Sequence, residues 1–213
     1  MAGSASHPLE IVLGSTNAGK LRECVELLEP FGIACRSLAG LDGAVEVDET
    51  GETFAENAAL KAQSQARALG RWVLAEDSGL VVPALGGAPG VRSARFSGAA
   101  PGEDRGVIDA RNSALVLERL AGRTGPDRGC YYACHAALAD PGGAVVATAS
   151  GACHGVITER PRGGGGFGYD PLFVVPEYGR TFGELPAAVK AVISHRGRAL
   201  RALVPALVRL LAS

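Results

Sequence analysis

The sequence predicts an α/β fold built on a mixed β-sheet with flanking helices. Short apolar runs typical of buried strands alternate with longer segments of helical periodicity. Two further runs, CYYACHAALAD and AVVATASGACHG, flank Pro141-Gly142-Gly143 and indicate an antiparallel hairpin inserted into that pattern. No linker-like change of composition divides the chain. We therefore expect one compact domain over residues 9–213, preceded by a flexible arm over residues 1–8.

The apolar run LEIVLG predicts a first strand that leads directly into a helix. Asn17 is a suitable N-cap, and Leu21, Val25 and Leu28 recur at the spacing of one helix face. Pro30 ends this periodicity. The run GIACRSL that follows predicts a second strand.

Thr53 and Glu56 have the spacing of a capping box, which predicts that a second helix begins here and ends at Gly70. RWVLAE then predicts a third strand. We expect a tight turn at DSG, residues 77–79, followed by another apolar run, LVVPAL. A third helix is expected from about Asp104 to Leu120.

The last part of the chain is predicted to end in a long helix. A glycine-rich loop, RGGGGFGYD, precedes the short strand LFVV. The helix is expected to begin at Ser194, its N-cap, to run to about Leu211 and to be kinked by Pro205. Its apolar face is formed by Leu200, Leu203, Leu207 and Leu210.

The composition excludes several classes of protein. The chain has 213 residues, 47% of them hydrophobic, and a net charge of −1, so it lacks the basic field that nucleic-acid binding requires. Arginines and Pro205 interrupt the longest apolar stretch, so no membrane partner is expected. Five cysteines without a closed zinc-binding spacing, and no signal peptide, predict free thiols and a cytoplasmic protein.

The stretch GSTNAGKL, from Gly14 to Leu21, resembles a phosphate-binding loop but does not complete the pattern. Leu21 stands where a Ser or Thr would ligate Mg²⁺. Unpaired backbone N–H groups at this helix start could bind a phosphate, and Lys20 in the first turn opposes the helix dipole unless an anion faces it. An ordinary capped helix with a solvated lysine explains the stretch equally well.

Two other helical segments carry cations in positions suited to an anion. Asn57 and Lys61 share one helix face, although a solvated face is the simpler explanation for that pair alone. His195, Arg196 and Arg198 crowd the first turn of the last helix. Positive charge is unfavourable there unless something negative or the edge of a ligand faces it, and an exposed surface position is the alternative.

A metal site would need carboxylates from elsewhere, because the phosphate-loop hydroxyl is missing. Two acidic pairs qualify, Asp48-Glu49 and Glu76-Asp77. Asp77 is the more informative, since a carboxylate at a strand end in a tight turn is held rigidly. Aspartates that merely cap a turn glycine are also common.

The glycine-rich loop adds aromatic side chains to these candidates. Phe167 and Tyr169 stand beside Asp170 on a glycine backbone, where rings can stack on a base and backbone groups can bind its edge. The alternative is that both rings plug a hairpin.

Five stretches occur in an order that resembles one known family: STNAGKLRE, ETGETFAENAALKA, AEDSGLVVPALGGAPGVRSARF, GGFGYDPLF and KAVISHRGRAL. From Leu9 to its last helix the chain resembles the inosine triphosphate pyrophosphatase family. The resemblance implies an elongated mixed β-sheet with two lobes that enclose a central active-site cleft, and a homodimer. It also implies hydrolysis of ITP, dITP and XTP to the nucleoside monophosphate and pyrophosphate, with Mg²⁺ as cofactor and Mn²⁺ as a substitute.

The resemblance also implies individual roles. Asp77 resembles the catalytic proton acceptor and a metal ligand, and the second metal ligand is either Asp48 or Glu49. Lys61 is implied to assist phosphate binding, and Ser78 to lie at the substrate. The other substrate-binding residues that it implies are Ser15, Thr16, Asn17, Ala18, Gly19 and Lys20 at the phosphates, and Phe167, Gly168, Tyr169, Asp170, Lys190, His195 and Arg196 at the base.

The implied base pocket suits a 6-oxo purine. His195 and Arg196 can donate to a 6-oxo group, whereas the 6-amino group of adenine would meet them as another donor. The sequence departs from the family at Thr16, often Gly, and at Glu76, often Asp. Three alternatives stay open: a pyrophosphatase for modified pyrimidines, a nucleotide-binding regulatory module, and a phosphate-loop NTPase that releases orthophosphate.

Overall fold

The computed structural model describes residues 10–98, 100 and 102–211. The strands are β1 Glu10–Leu13, β2 Ala34–Ser37, β3 Val73–Val81, β4 Gly129–Ala139, β5 Val145–Ile157, β6 Phe173–Val175 and β7 Arg180–Thr181. The helices are α1 Ala18–Leu28, α2 Phe54–Leu69, α3 Arg105–Arg119, α4 Ala187–Ile193 and α5 His195–Leu211. The strands form one sheet in the order β2-β1-β3-β4-β5-β6-β7, parallel from β2 to β3 and antiparallel from β3 onward. The predicted α/β fold with a mixed sheet is confirmed.

Helix α1 begins as predicted but packs a different face. The Asn17 side chain caps it by accepting the N–H groups of the second and third helical residues at 2.9 and 3.1 Å. Leu21 and Leu28 contact the core, but Cys24 rather than Val25 lies between them in the apolar cluster. A helix face has positions at both i+3 and i+4, so periodicity alone did not decide between these neighbours.

The ends of α2 and α5 follow their predicted signals. Thr53 and Glu56 form both hydrogen bonds of the capping box, and Gly70 ends α2 with a φ of 61°. Ser194 accepts the Gly197 N–H at 3.1 Å and so caps α5. The four predicted leucines of α5 contact one apolar cluster: Leu200, Leu203, Leu207 and Leu210.

Two short elements were not predicted, β7 and α4. α4 ends directly at the cap of α5, because the Ser194 N–H donates to the Lys190 carbonyl at 2.9 Å. Pro205 lies inside α5.

The prediction of a turn at residues 77–79 is wrong. β3 continues through this segment and pairs with β4 along its whole length, with Asp77 opposite His135. The structure gives Gly79 another purpose, because a Cβ there would lie 2.3 Å from Ser93 Oγ. The glycine permits close approach of the Gly90–Arg95 turn, and it does not reverse the chain.

β3 passes between two apolar regions. Its first residues, Val73–Ala75, pack with α1 and α5 on one face and with α2 on the other. Near the other end of β3, Leu80 packs with residues of α3 and β6. Between these regions stand three polar residues, 76–78, beyond the end of the β1 pairing at Leu74. This polar interruption determines where a site can form.

The remaining sequence predictions have mixed outcomes. The N-terminal arm, residues 1–8, lies outside the described part of the chain, and the 9–213 domain boundaries stay a prediction. The five cysteines are free thiols, as predicted. None of the described helices combines the length and apolar character needed to cross a membrane.

Candidate active site

A cavity of about 230 Å³ opens beside the polar centre of β3. Sequence-predicted residues that line it are Ser15, Asn17, Lys20, Glu49, Asp77, Ser78, Phe167, Gly168, Tyr169, Asp170, Lys190, His195 and Arg196. Predicted residues that do not line it are Thr16, Ala18, Gly19, Asp48 and Lys61. Lys61 nevertheless contacts two residues of the cavity lining, Glu49 and Asp77.

The side chains of β3 alternate between the two faces of the sheet. Neighbouring acidic residues on this strand therefore have different partners. Asp77 points toward α2, where Asn57 Nδ2 donates to its Oδ2 at 3.3 Å. Lys61 Nζ donates to Asp77 Oδ1 at 3.1 Å and to Glu49 Oε1 at 2.8 Å. We call Glu49, Lys61 and Asp77 the carboxylate end of the cavity.

Burial and charge act in opposite directions at the carboxylate end. Burial raises the pKa of Asp77 above its ordinary value, and the nearby Lys61 ammonium offsets only part of that effect. Burial would lower the pKa of Lys61, but Asp77 and Glu49 outweigh it and raise that pKa. Asp77 is therefore a more basic carboxylate than a solvated aspartate.

The structure distinguishes the two acidic residues that the sequence left open. Glu49 lines the cavity and is ion-paired with Lys61, and Arg95 lies 3.4 Å from its other oxygen. Asp48 is exposed and outside the cavity lining. Glu49 is thus the member of the pair that faces Asp77.

A second group of charges lies on the other face of β3. We call it the buried ion network, and its members are Lys20, Glu23, Glu76, Asp170, Lys190 and Arg196. Glu76 is at its centre, 2.7 Å from Lys20 Nζ and 3.2 Å from the Arg196 guanidinium. Burial would raise the pKa of Glu76, but Arg196 and Lys20 outweigh it and hold that pKa well below its ordinary value.

The network continues from α1 to the glycine-rich loop. Glu23 accepts from Arg196 Nη1 at 2.5 Å and lies 3.1 Å from Lys190 Nζ. Lys190 in turn donates to Asp170 at 2.6 Å. Arg196 also donates to Ser78 Oγ at 3.1 Å. The donors of both cations are thus directed by carboxylates from three separate parts of the fold.

This network shows what faces the cations at two helix starts. Lys20 was expected to be either solvated or faced by a bound anion, but Glu76 supplies the negative charge. At the start of α5 the expected negative partners of Arg196 are Glu23 and Glu76. The backbone N–H groups of Gly19 and Lys20, expected to be unpaired, donate to the Asn17 side chain.

His195 is neutral and does not add a third cation to that helix start. Burial, followed by the positive charge of Arg196, holds the pKa of His195 well below its ordinary value. The imidazole stacks on Tyr132, with ring centroids 4.5 Å apart, and its buried Nδ1 has no hydrogen-bond partner in the structure. A buried ring nitrogen without a partner favours a ligand group at this wall of the cavity.

The two aromatic residues of the glycine-rich loop have different surroundings. The Phe167 ring lies beside cations, 4.7 Å from Lys190 Nζ and 5.6 Å from the Arg196 guanidinium carbon. Tyr169 is buried in the apolar cluster, and its hydroxyl donates to the Ser93 carbonyl at 2.8 Å. Phe167 is therefore the ring that can stack on a base, while Tyr169 supports the wall.

Sequence reasoning missed four charged residues around the cavity: Glu23, Arg95, Arg105 and Asp109. Arg105 and Asp109 were only part of a predicted helix, yet both line the cavity from α3. Glu23 could have been suspected only as an acidic neighbour of Lys20, because its partners come from distant helices. Glu76 was considered as one member of an acidic pair that could hold a metal and as a departure from a family pattern, but the structure pairs it with two cations, Lys20 and Arg196.

No group of three or more His, Cys, Asp or Glu side chains suited to a metal ion occurs among the residues that the structure describes. Glu49 and Asp77 are the carboxylates that converge on one cation, the Lys61 ammonium. A metal at this end would need its remaining ligands from a substrate and from water.

Comparisons with known proteins agree with this architecture. A curated relative from Rhodopirellula baltica, named dITP/XTP pyrophosphatase, is 50% identical over 204 residues, covering 96% of this chain and 95% of its own. Another of that name, from Geobacillus kaustophilus, is 49% identical over 194 residues, 91% and 92% of the two chains. The solved structure of a HAM1 protein from Coxiella burnetii superposes with a TM-score of 0.82 at 40% identity, covering 94% of this chain and 99% of that one. The profile of the Ham1 family matches residues 11–206, and the chain belongs to that family.

Proposed function

We propose that this protein hydrolyses non-standard purine nucleoside triphosphates, namely ITP, dITP and XTP, to the nucleoside monophosphate and pyrophosphate. The observation that carries the proposal is that one cavity joins a carboxylate pair bridged by Lys61 to a wall formed by Phe167, His195 and Arg196. The first end suits a polyphosphate and its metal, and the second suits a purine ring. The name dITP/XTP pyrophosphatase, given to relatives up to 50% identical, supports the same activity.

The carboxylate end suits Mg²⁺, with Mn²⁺ as a substitute for the same oxygen ligands. Glu49 and Asp77 come from different elements and place oxygens 2.8 and 3.1 Å from one ammonium, which occupies a position where a cation is favourable. Mg²⁺ is usually held by one or two carboxylates together with phosphates and water. Glu49 and Asp77 would hold it, with Glu49 preferred over the exposed Asp48. Once bound, the metal supplies charge neutralisation at the phosphates and lowers the pKa of water.

Asp77 is the proposed proton acceptor. A water oxygen forms a bond to the α-phosphorus while the bond to the bridging oxygen of the β-phosphate breaks. Pyrophosphate leaves with that electron pair, and the water proton passes to the Asp77 carboxylate. Burial makes this carboxylate more basic than usual, and the bonds from Asn57 and Lys61 fix its orientation. Lys61 remains available as a cation beside the phosphates.

The start of α1 is the proposed phosphate-binding segment. Ser15, Asn17 and Lys20 line the cavity, whereas Thr16, Ala18 and Gly19 contribute only the backbone that connects them. Lys20 is already held by Glu76, so it presents its charge to the phosphates from a fixed position. Such preorganisation lowers the cost of binding a flexible polyanion.

Base selection is proposed to occur at the far wall. Arg196 is fixed by Glu23 and Glu76, and the neutral His195 has one nitrogen that can donate. Together with Lys190 they favour an oxygen at position 6 of a purine, while an amino group would leave donors unpaired. Phe167 supplies the ring on which the base stacks. A homodimer belongs to the proposal through the family resemblance, and a cytoplasmic location through the free cysteines.

The test is a panel of triphosphates with identification of the products. We expect ITP, dITP and XTP to be hydrolysed with a higher kcat/KM than GTP, ATP and modified pyrimidine triphosphates, each releasing pyrophosphate and a monophosphate. Release of orthophosphate from ITP would support a phosphate-loop NTPase. A preference for a pyrimidine would replace the purine assignment, and binding of ITP without product would favour a regulatory module.

A further inference from the structure

The glycine-rich loop from Gly163 to Asp170, called the base loop below, has cavities on several sides. Phe167 and Gly168 line the main cavity. A second cavity separates Gly165 and Gly166 from α1. A third, of about 790 Å³, lies between the loop and α3. Tyr169 is buried in the apolar cluster and Gly163 lies against Gly183, but the stretch from Gly164 to Gly168 borders open space, so packing holds this stretch less firmly than the residues beside it.

Hydrogen bonds fix the loop where packing does not. Phe167 N–H donates to Asp170 Oδ2 at 2.9 Å, and the Tyr169 hydroxyl donates to the Ser93 carbonyl at 2.8 Å. Gly165 N–H donates to the Gly183 carbonyl at 2.9 Å. These bonds hold Gly165, Phe167 and Tyr169, and the amide of Gly168 between the last two has a different partner.

That partner is Asp109 of α3. Its Oδ2 accepts the Gly168 N–H at 2.9 Å, and its Oδ1 lies 2.9 Å from Arg105 Nε one turn earlier in the helix. The Asp109 side chain is only 13% exposed. Gly168 has a φ of 62°, a conformation that glycine adopts without the cost that an L-residue would bear, so the backbone itself does not restrict this residue to one geometry and the Asp109 hydrogen bond helps to fix it.

Gly168 is bonded directly to Phe167, so the Gly168 amide contact, together with the Phe167 N–H bond to Asp170, constrains where the Phe167 ring lies. That ring lies against the start of α1, since a Cβ at Gly19 would be 3.1 Å from two of its atoms. It also lies beside the Lys190 ammonium. A shift of the loop toward the large cavity under α3 would carry the ring away from both.

We propose that Asp109 is a positioning residue for purine binding. Through the Gly168 amide it holds the base loop and, with it, the Phe167 ring against which the base stacks. Arg105 balances the Asp109 charge and leaves Oδ2 free for the loop. This inference rests on the proposed function, because it assigns the ring to a purine substrate. It connects α3 to the side of the cavity where Phe167 lies.

The proposal separates the hydrogen bond from the charge. In Asp109→Ala the acceptor is lost, and we expect KM for ITP to rise about tenfold with kcat changed less than about threefold, as for loss of one charge-assisted hydrogen bond. Asp109→Asn keeps an acceptor oxygen, so its KM should stay within about threefold of the wild type. Glu118→Ala, which removes an exposed carboxylate from the same helix, is the matched control.

Amide hydrogen exchange at Gly168, followed by NMR without any nucleotide, supplies a readout that does not depend on turnover. We expect exchange to accelerate about tenfold or more in Asp109→Ala and to remain near wild type in Asp109→Asn and Glu118→Ala. If Asp109→Ala does not fold, Asp109→Glu is measured instead. It keeps the charge but displaces the oxygen by one methylene, and the same loss is expected.

Unchanged Gly168 exchange together with wild-type KM in Asp109→Ala would overturn the proposal. An equal rise of KM in Asp109→Ala and Glu118→Ala would overturn it as well, because the effect would not depend on the hydrogen bond. If the wild-type protein releases no pyrophosphate from ITP but Gly168 exchange accelerates as expected, the proposed function fails while the hold on the base loop stands.

Discussion

The two ends of the cavity hold their charges in different ways. The carboxylate end has two carboxylates, Glu49 and Asp77, around the single ammonium of Lys61, and it is partly open to solvent. The buried ion network has three cations and three carboxylates: Lys20, Lys190, Arg196, Glu23, Glu76 and Asp170. The first group therefore carries one net negative charge, which is opposed from outside the group by the exposed Arg95 guanidinium 3.4 Å from Glu49, whereas the second group is balanced.

This difference explains how one strand can serve two purposes. Asp77 and Glu76 are neighbours on β3, but alternation directs one toward α2 and the other toward α1 and α5. The balanced network fixes the side chains of the base wall before a ligand arrives. At the carboxylate end, a metal ion bound with the substrate would supply further positive charge to the two carboxylates.

Asp77→Asn should break the carboxylate end with the largest effect. Asparagine keeps the size of the side chain and one acceptor oxygen, so it loses one of the two hydrogen bonds that Asp77 accepts, and it cannot accept the water proton. We expect kcat for ITP to fall about 10²–10⁴-fold, the usual contribution of a general base. Pyrophosphate release measures the loss, and a thermal melt close to that of the wild type shows that folding is intact. Wild-type-like turnover in this variant would contradict the role of Asp77.

Glu76→Gln should disrupt the buried ion network and lower the free energy of unfolding. It leaves Lys20 and Arg196 without their shared carboxylate, and loss of one partner from a buried ion pair costs about 3–5 kcal/mol. Glu49→Gln, at the more exposed end, is the matched comparison and should cost about 1 kcal/mol or less. Urea unfolding at neutral pH gives both free energies.

The cost of Glu76→Gln should depend on pH. The folded-state pKa of Glu76 is held below its unfolded value, so its contribution is present above the unfolded pKa and is lost as the pH falls through the folded pKa. The difference in unfolding free energy between wild type and Glu76→Gln should therefore shrink at acidic pH. Equal costs for Glu76→Gln and Glu49→Gln would remove the distinction between the two ends.

Lys61→Gln should have a smaller effect, a shift in the pH profile of kcat/KM. Asp77 has a raised pKa, and the Lys61 ammonium keeps it from rising further. Because kcat/KM requires the ionised base, activity is lost as the pH falls through this pKa. Removing Lys61 should move that acidic limb to higher pH, independently of the lower maximal rate.

Arg95→Gln is the control for the displaced profile. It removes a cation that contacts Glu49 and not Asp77, so its acidic limb should move less. A limb that stays in place or moves to lower pH in Lys61→Gln would show that Asp77 does not govern the profile.

Local signals in the sequence were sufficient for much of the fold. The capping residues Asn17, Thr53 and Ser194 occupy the helix starts that their spacing predicted, because a cap depends on neighbours along the chain. The hairpin of β4 and β5 and the leucine face of α5 follow from periodicity for the same reason. The motifs also contain most of the residues that line the cavity, although Thr16, Ala18, Gly19, Asp48 and Lys61 lie outside its lining.

Contacts distant in sequence decided the rest. β3 continues through residues 77–79 because β4 pairs with it and Gly79 admits the Ser93 turn, neither of which is a local property. Glu49 rather than Asp48 faces the cavity because of where Lys61 of α2 lies.

The two helix starts show the same division. Local periodicity and capping signals were enough to place Lys20 and Arg196 at the positive ends of two helices, where both a solvated side chain and a negative partner were open. That Glu76 pairs with both follows from the fold, because this partner is buried on a strand between the two helices. Charge requirements are read along the chain, but the groups that satisfy them are chosen by packing, which brings together residues of any separation.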